Sequence, residues 1–399
     1  VSSKCPVSYP FPWAPAPDVP ADWRSMREGP LLDITLPSGD PAVLVTRYKD
    51  VRRLYADERL SRNWARHPVS RISASNDLFA DPEIDNDPPR YLVERGIVMR
   101  AFSHRRLEAL RPVVRQITGD LLDAMEAEGG NEAELMEAFA FPLPILVICH
   151  MLGVPPQDRG KFRTLIDGYL SVSKLSDEEV ERCRVQYWDY LSELIATKRA
   201  DPGDDLISDL IKVNAEDPDK LTDHQLQHWV KTLLIAGYVT TASQIGTGMA
   251  VLLHRPAVAA ELKADLSLVP SAVEELLRYQ IMGTSLGSLR YALEDITLQD
   301  GTVVPRGSTV LLSVESNMDE EVFTDPTTLD IRREDNHHLT FGAGIHFCAG
   351  AALARMELQE ATAGLLRRFP GLSLAVPGEH LVRPVGGFLA GYAEIPVKW

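Results

Sequence analysis

The stretch HHLTFGAGIHFCAGAALARMEL, His337–Leu358, decides how this chain is read. Cys348 lies between Gly344 and Gly350, just ahead of a run of good helix formers, Ala351–Leu358. That order places the sulfur at a helix N-terminus, where unpaired backbone N–H groups and the helix dipole favour thiolate over thiol. The flanking glycines let backbone approach the sulfur closely. Such an anion suits a metal-bound sulfur. Two other readings stay open on these residues alone. One is a buried structural cysteine. The other is a zinc site drawn from His337, His338, His346 and Cys348, four possible ligands within twelve positions, although adjacent histidines do not readily face one tetrahedral ion.

Outward from this loop, the sequence reads as mainly α with small β-sheets. Upstream, LLDITL and AVLVT flank the turn residues Pro37–Asp40 and predict a strand pair. From about Pro112 to Leu266 apolar residues recur three and four apart, and Thr222 with Gln225 has capping-box spacing, so long helices fill the middle. After Arg278, ITLQDG, TVV and STVLLSV are short β-branched runs punctuated by Asp300-Gly301 and Pro305-Arg306-Gly307, a hairpin-like signature. A helix follows near Ala351, and PVGGFLAGYAEIPVKW reads as loop and short strand. No linker cuts the chain, which predicts one domain over residues 1–399 with a Pro-rich arm at 1–20.

Composition narrows the function. Of 399 residues, 45% are hydrophobic and 25% charged, which excludes disorder and fibres. The balance of 41 Lys+Arg against 57 Asp+Glu, net −16, argues against a nucleic-acid partner. Four unpaired-looking cysteines, Cys5, Cys149, Cys183 and Cys348, suit a reducing compartment, and a cytoplasmic location is expected. FAFPLPILVICHMLGVPP, from Phe139, is the nearest approach to a spanning segment, but Pro142, Pro144 and His150 interrupt it. The N-terminal stretch lacks the basic start and apolar core of a secretory signal. No membrane association is expected.

The run Phe341-Gly342-Ala343-Gly344-Ile345-His346-Phe347-Cys348-Ala349-Gly350 resembles the haem-binding signature of the cytochrome P-450 superfamily, Phe-x-x-Gly-x-x-x-Cys-x-Gly, with every fixed position filled. The likeness extends over nearly the whole chain, with the spacing of soluble bacterial members. It implies the cytochrome P-450 fold, haem b with Cys348 as axial thiolate, and a monooxygenase.

Other segments gain meaning beside it. Glu275 and Arg278 share a helix face in SAVEELLRY, with Ser271 and Glu274 as a capping box; taken alone they form a surface ion pair worth ~0.3 kcal/mol. The resemblance makes them the family's Glu-x-x-Arg pair, coupled to Arg333, with Arg332 the alternative. It makes Arg95, Arg290 and His346 partners of the haem propionates, groups that are costly to bury without cations or donors. Tyr91 stands where histidine opens the family's His-x-x-x-Arg pattern; a phenol donates a hydrogen bond but carries no positive charge near neutral pH. Phe341 and Gly342 belong to the same cofactor loop.

AGYVTT resembles the family's oxygen-activation segment, with Gly237 leaving room for dioxygen and Thr240 offering its hydroxyl. Taken alone, Ala236, Gly237 and Thr240 are helix interior. Val239 replaces the family's acidic residue, so proton delivery must take another path. Family position assigns the substrate pocket to Trp64, His67 and Phe79, to Leu233, Ala236 and Val239, to the strand Ile281–Leu286 including Thr284, and to Phe388 and Leu389. This apolar wall with few polar groups suits a small apolar natural product of secondary metabolism, such as an antibiotic precursor, hydroxylated or epoxidised. Oxidative C–C or C–N coupling of aromatic substrates is the second reaction, and a haem-binding helper or sensor the reading of another class. No G-x-G-x-x-G signature is present, so electrons are expected from ferredoxin and ferredoxin reductase. Arg100, His104, Arg105 and Arg106 are the expected docking patch on a monomeric protein.

Overall fold

The computed structural model describes residues 6–11, 14, 16–20, 23–24, 27, 29–72, 80–169, 175–279, 286–383 and 391–399. Its helices are α1 (Tyr48–Leu54), α2 (Arg90–Val98), α3 (His104–Ala127), α4 (Pro142–Leu152), α5 (Arg159–Tyr169), α6 (Asp177–Ala200), α7 (Leu206–Glu216), α8 (Asp223–Leu253), α9 (Pro256–Ala264), α10 (Val269–Tyr279) and α11 (Ala351–Arg368). The strands are β1 (Val7–Ser8), β2 (Leu31–Thr35), β3 (Pro41–Val45), β4 (Leu60–Ser61), β5 (Glu132–Glu134), β6 (Arg290–Ala292), β7 (Ile296–Thr297), β8 (Val303–Val304), β9 (Thr309–Leu312), β10 (Ser373–Leu374) and β11 (Pro396–Lys398). Helix takes up about 53% of the chain, so the architecture is mainly α with small sheets.

Two compact units form, each from two stretches of chain: Val1–Leu92 with Glu274–Cys348, and Val93–Val273 with Ala349–Trp399. In the first, β2 and β3 pair antiparallel around the expected turn, with Leu31 opposite Val45. The run STVLLSV supplies β9, which lies between β3 and β6 in a sheet ordered β1-β2-β3-β9-β6-β4. Hydrogen-bonded on both sides and buried at all four residues, β9 has the continuous apolar pattern of a central strand. Val45, Val51, Leu54, Val310, Leu312 and Phe323 close the core between this sheet and α1. β7 and β8 form the separate hairpin expected around Asp300-Gly301.

In the second unit, α8 is buried at every residue from Thr241 to Leu253. That stretch is apolar or small all round, so it needs neighbours on every side; α4 and α11 pack on α8, and α3 packs on α11. The Thr222–Gln225 capping box opens α8: Gln225 N–H donates to Thr222 Oγ1 (3.2 Å) and Thr222 N–H to Gln225 Oε1 (2.9 Å). The α2 residue Glu94, buried, accepts from Gln225 Nε2 at 2.7 Å and Trp229 Nε1 at 3.0 Å, tying α2 to the start of α8.

Three local expectations change. Pro142 and Pro144 do not interrupt a helix but open α4, where a missing N–H costs no internal bond. Pro112 lies inside α3, whose start is at His104 rather than near the proline. Ser271 is not an N-cap: α10 begins at Val269, Ser271 Oγ donates back to the Leu268 carbonyl (3.0 Å), and Glu274 pairs with His338 Nε2 (3.2 Å).

One buried acid in α11 gives a pH prediction. Glu357 is 2% exposed and its Oε2 has no hydrogen-bond partner. Burial alone pushes its carboxyl well above the usual carboxylate range. Because the folded pKa is raised, its contribution to stability is full below the unfolded pKa and declines as pH rises toward the folded one. Glu357→Gln should therefore raise the urea midpoint at neutral pH and leave it unchanged in acid; an equal shift at both pH values contradicts the assignment.

Candidate active site

The cysteine loop is held from both ends. Cys348 N–H donates to the Phe341 carbonyl at 2.9 Å, closing the segment into a tight loop, and Gly342 N–H donates to the Leu339 carbonyl at 2.8 Å. Gly342 and Gly344 have φ of 69° and 66°, a left-handed conformation that side chains disfavour. At Gly344 a Cβ would also lie 2.6 Å from the Tyr55 carbonyl oxygen. Cys348 is half-buried and in no disulfide, so the reading as a buried structural residue does not hold. The zinc reading fails too: among the described residues no group of three or more His, Cys, Asp or Glu could hold a metal ion. His337 is exposed, His338 is paired with Glu274, and His346 packs against the Tyr91 ring at 4.4 Å.

Glu275, Arg278 and Arg333 come together, and they do so in the interior. Both Glu275 and Arg278 side chains are 0% exposed, which overturns the surface-pair value expected from spacing. Arg278 binds Glu275 through two bonds of 2.8 Å; Arg333 Nε donates to Oε2 at 3.0 Å, while Arg332 is exposed. Asn336 Nδ2 and the Asp330 N–H complete the carboxylate, at 3.2 and 2.9 Å. Arg278 spends its remaining donors on the carbonyls of Asn317, Pro326 and Thr328. Asn317 in turn accepts from Leu339 N–H (2.7 Å) and donates to Thr340 Oγ1 (3.0 Å), directly before Phe341. A buried pair so fully hydrogen-bonded acts as an anchor for the loop that follows it. Asn317, Asn336 and Thr340 carry no sequence signature; only their tertiary partners reveal them.

Arg290 opens β6 at 3% exposure. Its side chain donates to the Leu289 carbonyl at 2.8 Å and faces the Tyr55 ring at 5.9 Å. No carboxylate pairs with it among the described residues. Burial, and then the positive charge of Arg62, push its pKa down to about 9. A guanidinium has five donors, and a buried one lacking a counter-ion is costly. Arg290 thus offers donors and positive charge to an anion. Tyr91 is buried against His346, so the first unit gathers Cys348, Phe341, Gly342, His346, Tyr91 and Arg290. Arg95, one helical turn beyond Tyr91 on α2, is half-buried.

On α8, Thr240 Oγ1 donates to the Ala236 carbonyl at 2.7 Å, leaving its lone pairs to accept. The packing supplies a second reason for glycine at 237. A Cβ there would sit 2.9 Å from two side-chain carbons of Ile148, so the close approach of α4 accounts for the missing side chain. Ala236 is exposed, Val239 half-exposed and Leu233 buried. In the first unit, Trp64 is buried and His67 stacks on Tyr291 at 4.9 Å. Phe79, Ile281, Thr284, Phe388 and Leu389 lie outside the described residues. In the second unit, Arg100, His104 and Arg105 are exposed, whereas Arg106 is tied to Asp209.

A glycine-shaped cysteine loop anchored in this way, in one unit with a buried arginine, is an arrangement that can hold an anionic, sulfur-ligated cofactor. The family model for cytochrome P450 matches residues 25–375, and the chain belongs to that family. Nocardicin C N-oxygenase of Nocardia uniformis subsp. tsuyamanensis is 41% identical, over 98% of both chains. Mycinamicin IV hydroxylase/epoxidase of Micromonospora griseorubida is 37% identical over 100% of both. Cytochrome P450mel 107F1, described as having biaryl coupling reactivity, superposes with a TM-score of 0.89 at 33% identity, covering 98% of this chain and 99% of that one. The chain is an oxidoreductase of the P450 monooxygenase class. Membership implies haem-thiolate iron, and the residues fit it: a half-buried cysteine outside any disulfide, on a hydrogen-bonded loop, and a buried arginine to which no carboxylate is paired among the described residues. Among the described residues no helix is long and apolar enough to cross a membrane.

Proposed function

We propose that this protein hydroxylates or epoxidises a small apolar natural product in secondary metabolism, with Cys348 as the axial ligand of haem b. The cysteine-loop site carries the reading: Arg290 is buried, with no carboxylate paired to it among the described residues, in the same unit as the cysteine loop. Bound haem would supply dioxygen activation, which an axial thiolate favours by donating electron density. Arg290, Arg95, His346 and Tyr91 would meet the propionates, and Phe341 and Gly342 would shape the loop around the sulfur. Thr240, its own hydrogen committed to the Ala236 carbonyl, would accept a hydrogen bond from a water and so orient it. Val239 brings no proton, which leaves delivery to that water rather than to a neighbouring acid. Leu233, Ala236, Val239 and Trp64 would exclude water around an apolar substrate, joined by Phe79, Ile281, Thr284 and Phe388.

The reaction test is isotopic. Turnover under labelled dioxygen should place one labelled atom in the product. Product without label supports coupling, the second reading, which the biaryl-coupling relative favours. Haem binding without substrate-dependent oxygen consumption supports the helper or sensor role instead.

Ferredoxin and its reductase are the proposed electron donors to a monomeric, cytoplasmic enzyme. Arg100, His104 and Arg105 form the docking patch; Arg106 contributes less because Asp209 neutralises it. Arg100→Glu with Arg105→Glu should slow ferredoxin-driven reduction about tenfold at low salt, the difference shrinking as salt screens the field. Stopped-flow reduction rates that match the parent at every ionic strength remove the patch from consideration.

A further inference from the structure

Tyr55 is the residue that closes α1, its N–H donating to the Val51 carbonyl at 3.1 Å. Its backbone supports the cysteine loop, since the Tyr55 carbonyl leaves no room for a Cβ on Gly344. Its ring supports the same loop one turn earlier: a Cβ on Gly342 would lie 3.4 Å from Tyr55 Cε1. The ring also faces the Arg290 guanidinium, with 5.9 Å from Cζ to the ring centroid. One residue therefore lies against both the loop that bears Cys348 and the buried cation of β6.

We propose that Tyr55 is a positioning residue that holds the thiolate loop and Arg290 in fixed register, so that the sulfur and the cation engage one haem together. The inference rests on the haem-thiolate reading above. Arg290 lies near a second cation, Arg62, which repels it. An aromatic face is the one neutral surface that attracts a guanidinium while adding no charge that would compete with a propionate. Leucine keeps an apolar side chain but has no atom at the Cε1 position and offers Arg290 no such face; methionine reaches that far without a π-face. Phenylalanine keeps the face and removes only the hydroxyl.

The test uses the haem-loaded full chain and its Y55F and Y55L variants, with thermal melts as a control for folding. Three quantities are read: the rate of haem transfer to excess apomyoglobin, the rate at which the carbon monoxide complex of the reduced protein loses its thiolate-type Soret band on mild warming, and the reduction potential. Y55L should lose haem and thiolate ligation about tenfold faster than the parent, the size expected for a partly buried cation–π contact. Its potential should fall as Arg290 becomes hydrated. Y55F should stay within about twofold of the parent on both rates, because the π-face is retained. If Y55L is not recovered folded, Y55M, which fills the volume without a π-face, replaces it. Parent-like rates and potential in Y55L or Y55M overturn the role of Tyr55. A parent protein that never shows the thiolate band refutes the haem-thiolate reading itself, so the two failures are distinguishable.

Discussion

Cys348→Ser should remove the thiolate-type Soret band of the reduced carbon monoxide complex and lower turnover by about 10³-fold or more, as for a group on which the chemistry depends directly. The reason is acidity. A thiol ionises near pH 8.5 unperturbed, within reach of neutral pH once a cation or backbone N–H groups stabilise the anion, whereas a serine hydroxyl stays neutral and donates little charge to iron. The substitution is close to isosteric and Cys348 is half-buried, so global stability should move by no more than about 0.5 kcal/mol. Urea denaturation of the haem-free chain checks that part. An unchanged Soret band in the variant would falsify the assignment of Cys348 as the ligand.

Glu275→Gln should be the most destabilising single change in the first unit. Glu275 receives two bonds from Arg278, one from Arg333, one from Asn336 and one from the Asp330 backbone, all away from water. The amide retains the shape but strands two guanidinium groups without a counter-charge and turns one acceptor into a donor facing other donors. Breaking a buried pair from one side costs about 3–5 kcal/mol, far above the value of an exposed pair at the same spacing. Calorimetric unfolding measures it. The loss should extend to haem retention, since Asn317 and Thr340 transmit the anchor to the cysteine loop. A variant as stable as the parent would show that the network packs without bearing load.

Much of the architecture was legible in the sequence because it rests on local rules. The β2–β3 pair, the Asp300-Gly301 hairpin, the α8 capping box and the helix after Cys348 each follow from turn chemistry or periodicity. The signature from Phe341 to Gly350 was legible by its resemblance to the family; Gly342 and Gly344 answer to a left-handed backbone and to the approach of Tyr55, whereas Gly350, at φ −87° with open space around a Cβ, does not. What escaped was tertiary. Spacing alone could not show that Glu275 and Arg278 are buried, because the partners that bury them are 39–61 positions away. Nor could it show that Ser271 falls within the first turn of α10, since Asp265 and the short turn at Leu266–Leu268 precede it. The central place of β9 between β3 and β6 is likewise a matter of pairing across more than 260 positions, as Val43 opposite Val310 shows.

The contact between Gly237 and Ile148 has a consequence for engineering. Residues 237 and 148 share space between two packed helices, so a side chain at 237 requires Ile148 to move. A library that randomises 237 alone should favour glycine and other small residues. Paired with alanine or valine at 148, the same position opens to larger side chains, and the surface of α8 one turn before Thr240 becomes a variable that can be set from α4.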